Sequence, residues 1–258
     1  MRSLWASFSL AWHLLTTIPL PGGSGTKIPL ERFGASLRWF PLIGFLLGAS
    51  LVMIDRLLES VFPPVVVNLV MLTLYVLVTG GLHLDGWADT VDALSGGRDP
   101  DHRLKILRDS RIGALGATGL VLILGLRYAG FLTLPVGFRE GMLFCMPAIG
   151  RWAMVIGCWG VVYPRSEGLA AQFIRTVTWR DVLVATTVVG LGLWGMFDAV
   201  TAAMLMIVVC LVVRSVVWWI SKKFGGITGD ILGAMNEGIE VLFLILGPVL
   251  LVYSKFGE

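Results

Sequence analysis

Runs of about 20 apolar residues, the length an α-helix needs to cross the hydrocarbon core of a bilayer, recur along this chain. They lie near 37–57, 61–82, 112–134, 141–163, 182–198, 199–220 and 239–254. A segment in lipid must satisfy its own backbone N–H and C=O groups, so such runs form helices that pack on one another. With 56% hydrophobic and 14% charged residues and a mean hydropathy of +0.84, the chain is too apolar for a soluble domain of 258 residues. The expected fold class is therefore all-α: a polytopic integral membrane helix bundle of about seven spans, forming one domain over residues 1–258. No repeat, linker or low-complexity tract divides it.

The N-terminal stretch MRSLWASFSLAWHLLTTIPLP has a lone charge at Arg2, an apolar run interrupted by His13 and no small-residue cleavage site, which speaks against reading it as a signal peptide. It reads as an interfacial or re-entrant helix stopped by Pro19 and Pro21. Cys145, Cys158 and Cys210 lie in apolar segments without CxxC spacing and read as small core residues.

The 20 Lys and Arg orient the bundle. With the N-terminus in the cytoplasm, only Arg56, Arg139 and Lys255 fall outside, and Arg127, Arg151 and Arg214 lie within spans. This places HLDGWADTVDALSGGRDPDHRLKILRDSR and SKKFGGITGDILGAMNEGIE on one cytoplasmic face, as the segments of a shared active site.

In the first segment a helix over Leu84–Ala93 puts Asp85, Asp89 and Asp92 at i, i+4 and i+7, on one face. Three like charges there repel unless a cation sits among them. Carboxylates are hard ligands, and Mg²⁺ favours a few of them together with phosphate oxygens, so the spacing points to metal-assisted phosphate chemistry. The alternative is a solvated acidic face at a membrane interface. His83, on the opposite side, reads as a packing residue or a support for the site.

In the second segment Gly225, Gly226 and Gly229 loosen the backbone, Thr228 can cap, and a helix from Asp230 carries Glu237 on the same face. Gly233 and Ala234 allow another helix or a diphosphate to approach closely. Between the segments, Asp99 and Pro100 start a short helix, and Arg103, Lys105, Arg108 and Arg111 bring cations near the aspartates. Arg111 opens the next span, where a helix N-terminus favours phosphate. Arg127 and Arg151 must face protein, water or a partner, yet few acids lie at comparable depth on this map; Arg214 lies near enough to the cytoplasm to snorkel. There is no GxSxG, Walker loop, HExxH or zinc spacing.

The blocks GGLHLDGWADTVDALSGG, ILRDSRIGALG, GRWAM and GGITGDILGAMNE, with TTIPLP and RWFPLIG before them, resemble the signatures of the cobalamin synthase (adenosylcobinamide-GDP ribazoletransferase) family over residues 14–247. The resemblance implies a Mg²⁺-dependent enzyme of the bacterial inner membrane that joins adenosylcobinamide-GDP to α-ribazole or its 5′-phosphate and releases GMP. On that basis Asp85, Asp89 and Asp92 with Asp230 are the expected metal ligands, and Asp92 or Glu237 the expected base. Arg111 is an expected catalytic cation, and Lys105, Arg108, Ser110, Arg151, Gly226 and Gly229 are expected substrate contacts. The lipid bilayer is a partner, nucleic acid is not, and homo-oligomerisation stays open. CDP-alcohol phosphotransferases need AR after their DG, which DGWADTVD lacks, and membrane prenyltransferases lack RDSRIG and GGITGD. A transporter would place its acids at the midplane and in related halves.

Overall fold

The computed structural model describes residues 2–20, 29 and 31–255, and every regular element among them is helical. In chain order these are α1 (Arg2–Leu15), α2 (Glu31–Ser36), a 3-10 turn (Leu37–Trp39), α3 (Phe40–Leu58), α4 (Pro64–Thr79), α5 (Leu82–Gly96) and α6 (Pro100–Ile106). There follow α7 (Ala114–Thr133), α8 (Arg139–Cys158), α9 (Leu169–Thr176), α10 (Trp179–Met196), α11 (Ala199–Phe224) and α12 (Gly229–Lys255). Their ends follow local chemistry. Pro41 and Pro64 stand in first turns, where a missing N–H breaks no helical bond. As the sequence suggests, Asp99 caps α6, accepting the His102 N–H at 2.8 Å with Pro100 next in line. Thr178 and Asp181 form a capping box on α10.

Five helical stretches are long and apolar enough to cross a membrane: Phe33–Leu58, α7, α8, α11 and Gly229–Leu251. Two bent pairs, α4 with α5 at 90° and α9 with α10 at 96°, raise the total to seven if each counts as one span. Two expected spans are corrected. The run near 61–82 becomes the short α4, ending where Gly80 and Gly81 take φ of +65° and +66°, a left-handed conformation that turns the chain into α5. The last span begins at Gly229, ten residues before the apolar run near 239. Asp230, Glu237 and Glu240 lower the hydropathy of its first half, although both glutamates are buried.

The centre of the bundle is α8, almost all of whose residues are buried. It is reached by glycines on α3: a Cβ at Gly44 would lie 2.4 Å from Ala148 Cα, and one at Gly48 2.0 Å from the Phe144 carbonyl. At one end of the bundle Arg139 ties four helices together. It donates to both Asp55 oxygens at 2.7 Å, to Asn68 Oδ1 at 2.6 Å and to the Phe131 carbonyl at 2.6 Å. At the other end lie α5, α6 and the loops before α9 and α12, joined by Arg103 donating to the Lys223 carbonyl at 3.1 Å and the Ile227 N–H donating to the Val162 carbonyl at 2.9 Å.

The 14 residues of α1 are too few to span, in keeping with an interfacial or re-entrant helix. After it, the Thr17 N–H donates to the Val78 carbonyl at 2.7 Å, satisfying a free carbonyl at the end of α4. Pro19 follows α1, and Pro21 lies outside the described residues. Cys145, Cys158 and Cys210 are free thiols, the first two buried, as their apolar settings suggest.

Candidate active site

Helical periodicity sets the site. On α5, His83, Gly86 and Thr90 are buried while Asp85 is exposed and Asp89 and Asp92 are half-buried. Gly86 is the contact point with α12, since a Cβ there would lie 2.6 Å from the Asp230 carbonyl oxygen. The close approach brings Asp230 beside Asp85 and Asp89, so Asp89 has Asp85, Asp230 and Asp92 as charged neighbours, with Arg165 opposing them. The carboxylates of Asp85 and Asp89 make no hydrogen bond or ion pair among the described residues. Asp230 pairs loosely with Arg165 at 3.6 Å and accepts from the Thr228 hydroxyl at 3.3 Å. No three His, Cys, Asp or Glu side chains among the described residues converge tightly enough to form a closed metal cage. The arrangement is an open acidic mouth.

Asp92 has a distinct placement. Its two oxygens accept the Gly113 and Gly116 N–H groups, each at 2.7 Å, which fixes it as the cap on α7. The helix N-terminus foreseen as a phosphate seat for Arg111 is thus occupied by a carboxylate of the chain itself. Arg111 precedes α7, its side chain is 86% exposed, and it donates to Asp109 at 2.9 and 2.7 Å. Those hydrogen bonds hold the Asp109 carboxyl down to about 2. Lys105 and Arg108, with Ser110, are exposed on α6 and the turn after it, at the rim of this end of the bundle.

Glu237 and Arg151 are drawn inward, away from the mouth. Arg127 Nη2 lies 2.8 Å from both Glu237 and Glu240, and Arg151 binds Glu240 and Tyr75. Tyr75 donates to Glu240 at 2.7 Å and Asn236 does so at 3.0 Å. Two arginines and two glutamates thereby neutralise one another in the interior. The acids at their depth, absent from the sequence map, are supplied by the early start of α12. Gly150 of GRWAM admits the cluster, as a Cβ there would meet Glu240 Cγ at 2.6 Å. Arg214 remains exposed and donates to the Trp159 carbonyl at 3.0 Å, in line with a snorkelling position.

Gly226 packs on the loop before α9, where a Cβ would lie 2.3 Å from the Val162 carbonyl; Gly229 opens α12 and lines a cavity. That cavity, about 120 Å³, is walled by α1, α3, α5, α8, α9 and α12, with Asp85 and Asp230 among its residues. Gly233 receives α5, its Cβ position lying 3.2 Å from His83 Cα, so the approach its small size permits is made by a helix. The main residue missed by sequence reasoning is Arg165. Its Nη2 also reaches the Leu104 carbonyl at 3.5 Å, and its Nε is buried without a partner among the described residues. A lone cation after Pro164 was a weak signal, because its place depends on how the 159–168 loop folds back. Glu240 was missed too, though its i+3 spacing from Glu237 beneath two intramembrane arginines could have revealed it.

Residues 7–247 match the family model described as cobalamin-5-phosphate synthase. Proteins named adenosylcobinamide-GDP ribazoletransferase are similar throughout: that of Desulfitobacterium hafniense is 34% identical over 98% of both chains. That of Geotalea daltonii is 35% identical over 92% of this chain and 95% of its own. No solved structure matches. By the extent of these matches, the chain belongs to the cobalamin-5-phosphate synthase family.

Proposed function

We propose that this chain carries out the reaction its relatives are named for, transferring the corrinoid phosphate of adenosylcobinamide-GDP to α-ribazole or its 5′-phosphate. The observation that carries the reading is the pair of unpartnered carboxylates, Asp85 and Asp89, held against Asp230 where the family's blocks meet. A ribose hydroxyl oxygen attacks the corrinoid-side phosphorus, the bond from that phosphorus to the GMP oxygen breaks, and the hydroxyl proton passes to a carboxylate. Asp92 and Glu237 are committed to α7 and Arg127, so the proton acceptor falls to a carboxylate oxygen of Asp85, Asp89 or Asp230 that is not taken up by the metal.

The donor set fits Mg²⁺, which takes one or two carboxylates and fills its other positions with water and phosphate oxygens. Asp85 and Asp89 would hold it, with Asp230 next to them. When bound, the ion offsets the charge of the diphosphate. Arg165, only loosely paired, is placed to turn its guanidinium from Asp230 to a phosphate oxygen, with Arg103, Lys105 and Arg111 as further cations on this end. The Lys and Arg bias supports a cytoplasmic placement of this end, and the family resemblance a bacterial inner membrane.

The test is GMP formation by purified protein in detergent micelles, with no second compartment. GMP released only when adenosylcobinamide-GDP and α-ribazole are both present supports the transferase; absence of GMP while either substrate binds contradicts it.

A further inference from the structure

The cavity of about 120 Å³ beside the acidic mouth has one unusual polar atom. His83 lines it, is 5% exposed, and its Nε2 is buried with no hydrogen-bond partner among the described residues. The deeper wall is apolar, with Phe40, Phe173, Met154 and Leu232 among its side chains, and among the described residues Asp85 and Asp230 are its carboxylates. Leu82 and Leu169, each about half exposed, mark an open side. An occupant matching this wall is small, apolar over most of its surface and equipped with a single hydrogen-bonding atom, and it continues into a polar group beside the acids.

Resting on the transferase reading, we propose that this cavity holds the heteroaromatic base of the acceptor nucleoside, with His83 Nε2 hydrogen-bonded to the one ring nitrogen that carries no substituent. Of the pieces the two substrates bring, the benzimidazole of α-ribazole fits the wall: two fused apolar rings and one free nitrogen acceptor. Guanine carries polar groups around its whole edge and would leave them unpaired against Phe40, Phe173 and Leu232. The corrin macrocycle is too large for a cavity of this volume. A neutral imidazole has one N–H to give, and a ring nitrogen is its complement. Here α5 meets Gly233, with the His83 Cα 3.2 Å and its ring Cδ2 3.6 Å from where a Cβ at Gly233 would stand. A base seated here directs its ribose toward Asp85 and Asp230, where the attacking hydroxyl is needed.

The experiment compares α-ribazole with its indole analogue, in which the free ring nitrogen is replaced by C–H, as acceptors for wild type and His83→Phe in detergent. Wild type should favour α-ribazole by about tenfold in kcat/KM, the worth of one well-placed hydrogen bond, and His83→Phe should lose that preference with KM for adenosylcobinamide-GDP unchanged. Equal discrimination by both proteins overturns the proposal, as does a parallel rise in KM for both substrates. If His83→Phe does not fold, Ala170→Leu, which fills the cavity, should raise KM for α-ribazole alone; unchanged KM there counts against the site. Normal GMP release by wild type without nitrogen preference rejects the base subsite while leaving the transferase intact, whereas absent GMP release rejects the transferase and this subsite with it.

Discussion

Among the described residues Arg165 is the cation in contact with the acidic mouth, held at 3.6 Å from Asp230 with its Nε unpartnered. If it serves the diphosphate, Arg165→Gln should raise KM for adenosylcobinamide-GDP about tenfold, the loss of one charge-assisted hydrogen bond, and leave KM for α-ribazole unchanged. Steady-state GMP assays varying each substrate check this; equal changes in both KM values point to a general distortion. The aspartates on α5 were legible because 3.6-residue periodicity places i, i+4 and i+7 together whatever the tertiary fold. Arg165 was not, because its position is set by the path of a loop. The individual tasks of Asp92 and Glu237 were equally hidden: one carboxylate in a row resembles the next until its partners, Gly113 and Gly116 or Arg127, are in place.

At the scale of elements, the α5–α12 contact makes the mouth, and Gly86 is its closest point. Gly86→Val should push α5 from Asp230 and lower stability by ~1–3 kcal/mol, as overpacking does. Activity should fall well beyond the loss of folded protein, as checked by thermal unfolding in detergent beside a GMP assay. A variant as stable and active as wild type would show that the approach is not required. Of the elements, α3, α7, α8 and α11 were readable from apolar length alone. The turn from α4 into α5 was not, because hydropathy runs through Gly80 and Gly81 without registering their positive φ. The start of α12 was obscured by its acids, which become compatible with burial only through arginines on α7 and α8.

Across the whole molecule, the bundle separates two kinds of charge. Arg127, Arg151, Glu237 and Glu240 are matched inside, Arg139 and Asp55 are matched near one end, and the acids at the other end are left open. Removing one partner of a buried network leaves uncompensated charge, so Glu240→Ala should destabilise the fold by ~3–5 kcal/mol. Its thermal unfolding midpoint should fall far more than that of Asp85→Asn, which removes an exposed charge from a repulsive set; equal midpoints would refute the division. All-helical class and membrane character were legible from composition and apolar length, since they depend on sums over the chain. The division between matched and open charge required the packing. The central claim is that the open acids act through a divalent ion, and the most direct measurement is GMP formation against Mg²⁺ concentration for wild type and Asp89→Asn. Wild type should lose activity in chelator and regain it with Mg²⁺, while folded Asp89→Asn should lose at least about a hundredfold in kcat, on the scale of electrostatic catalysis. Full activity in chelator, or a wild-type Mg²⁺ response from Asp89→Asn, would contradict it.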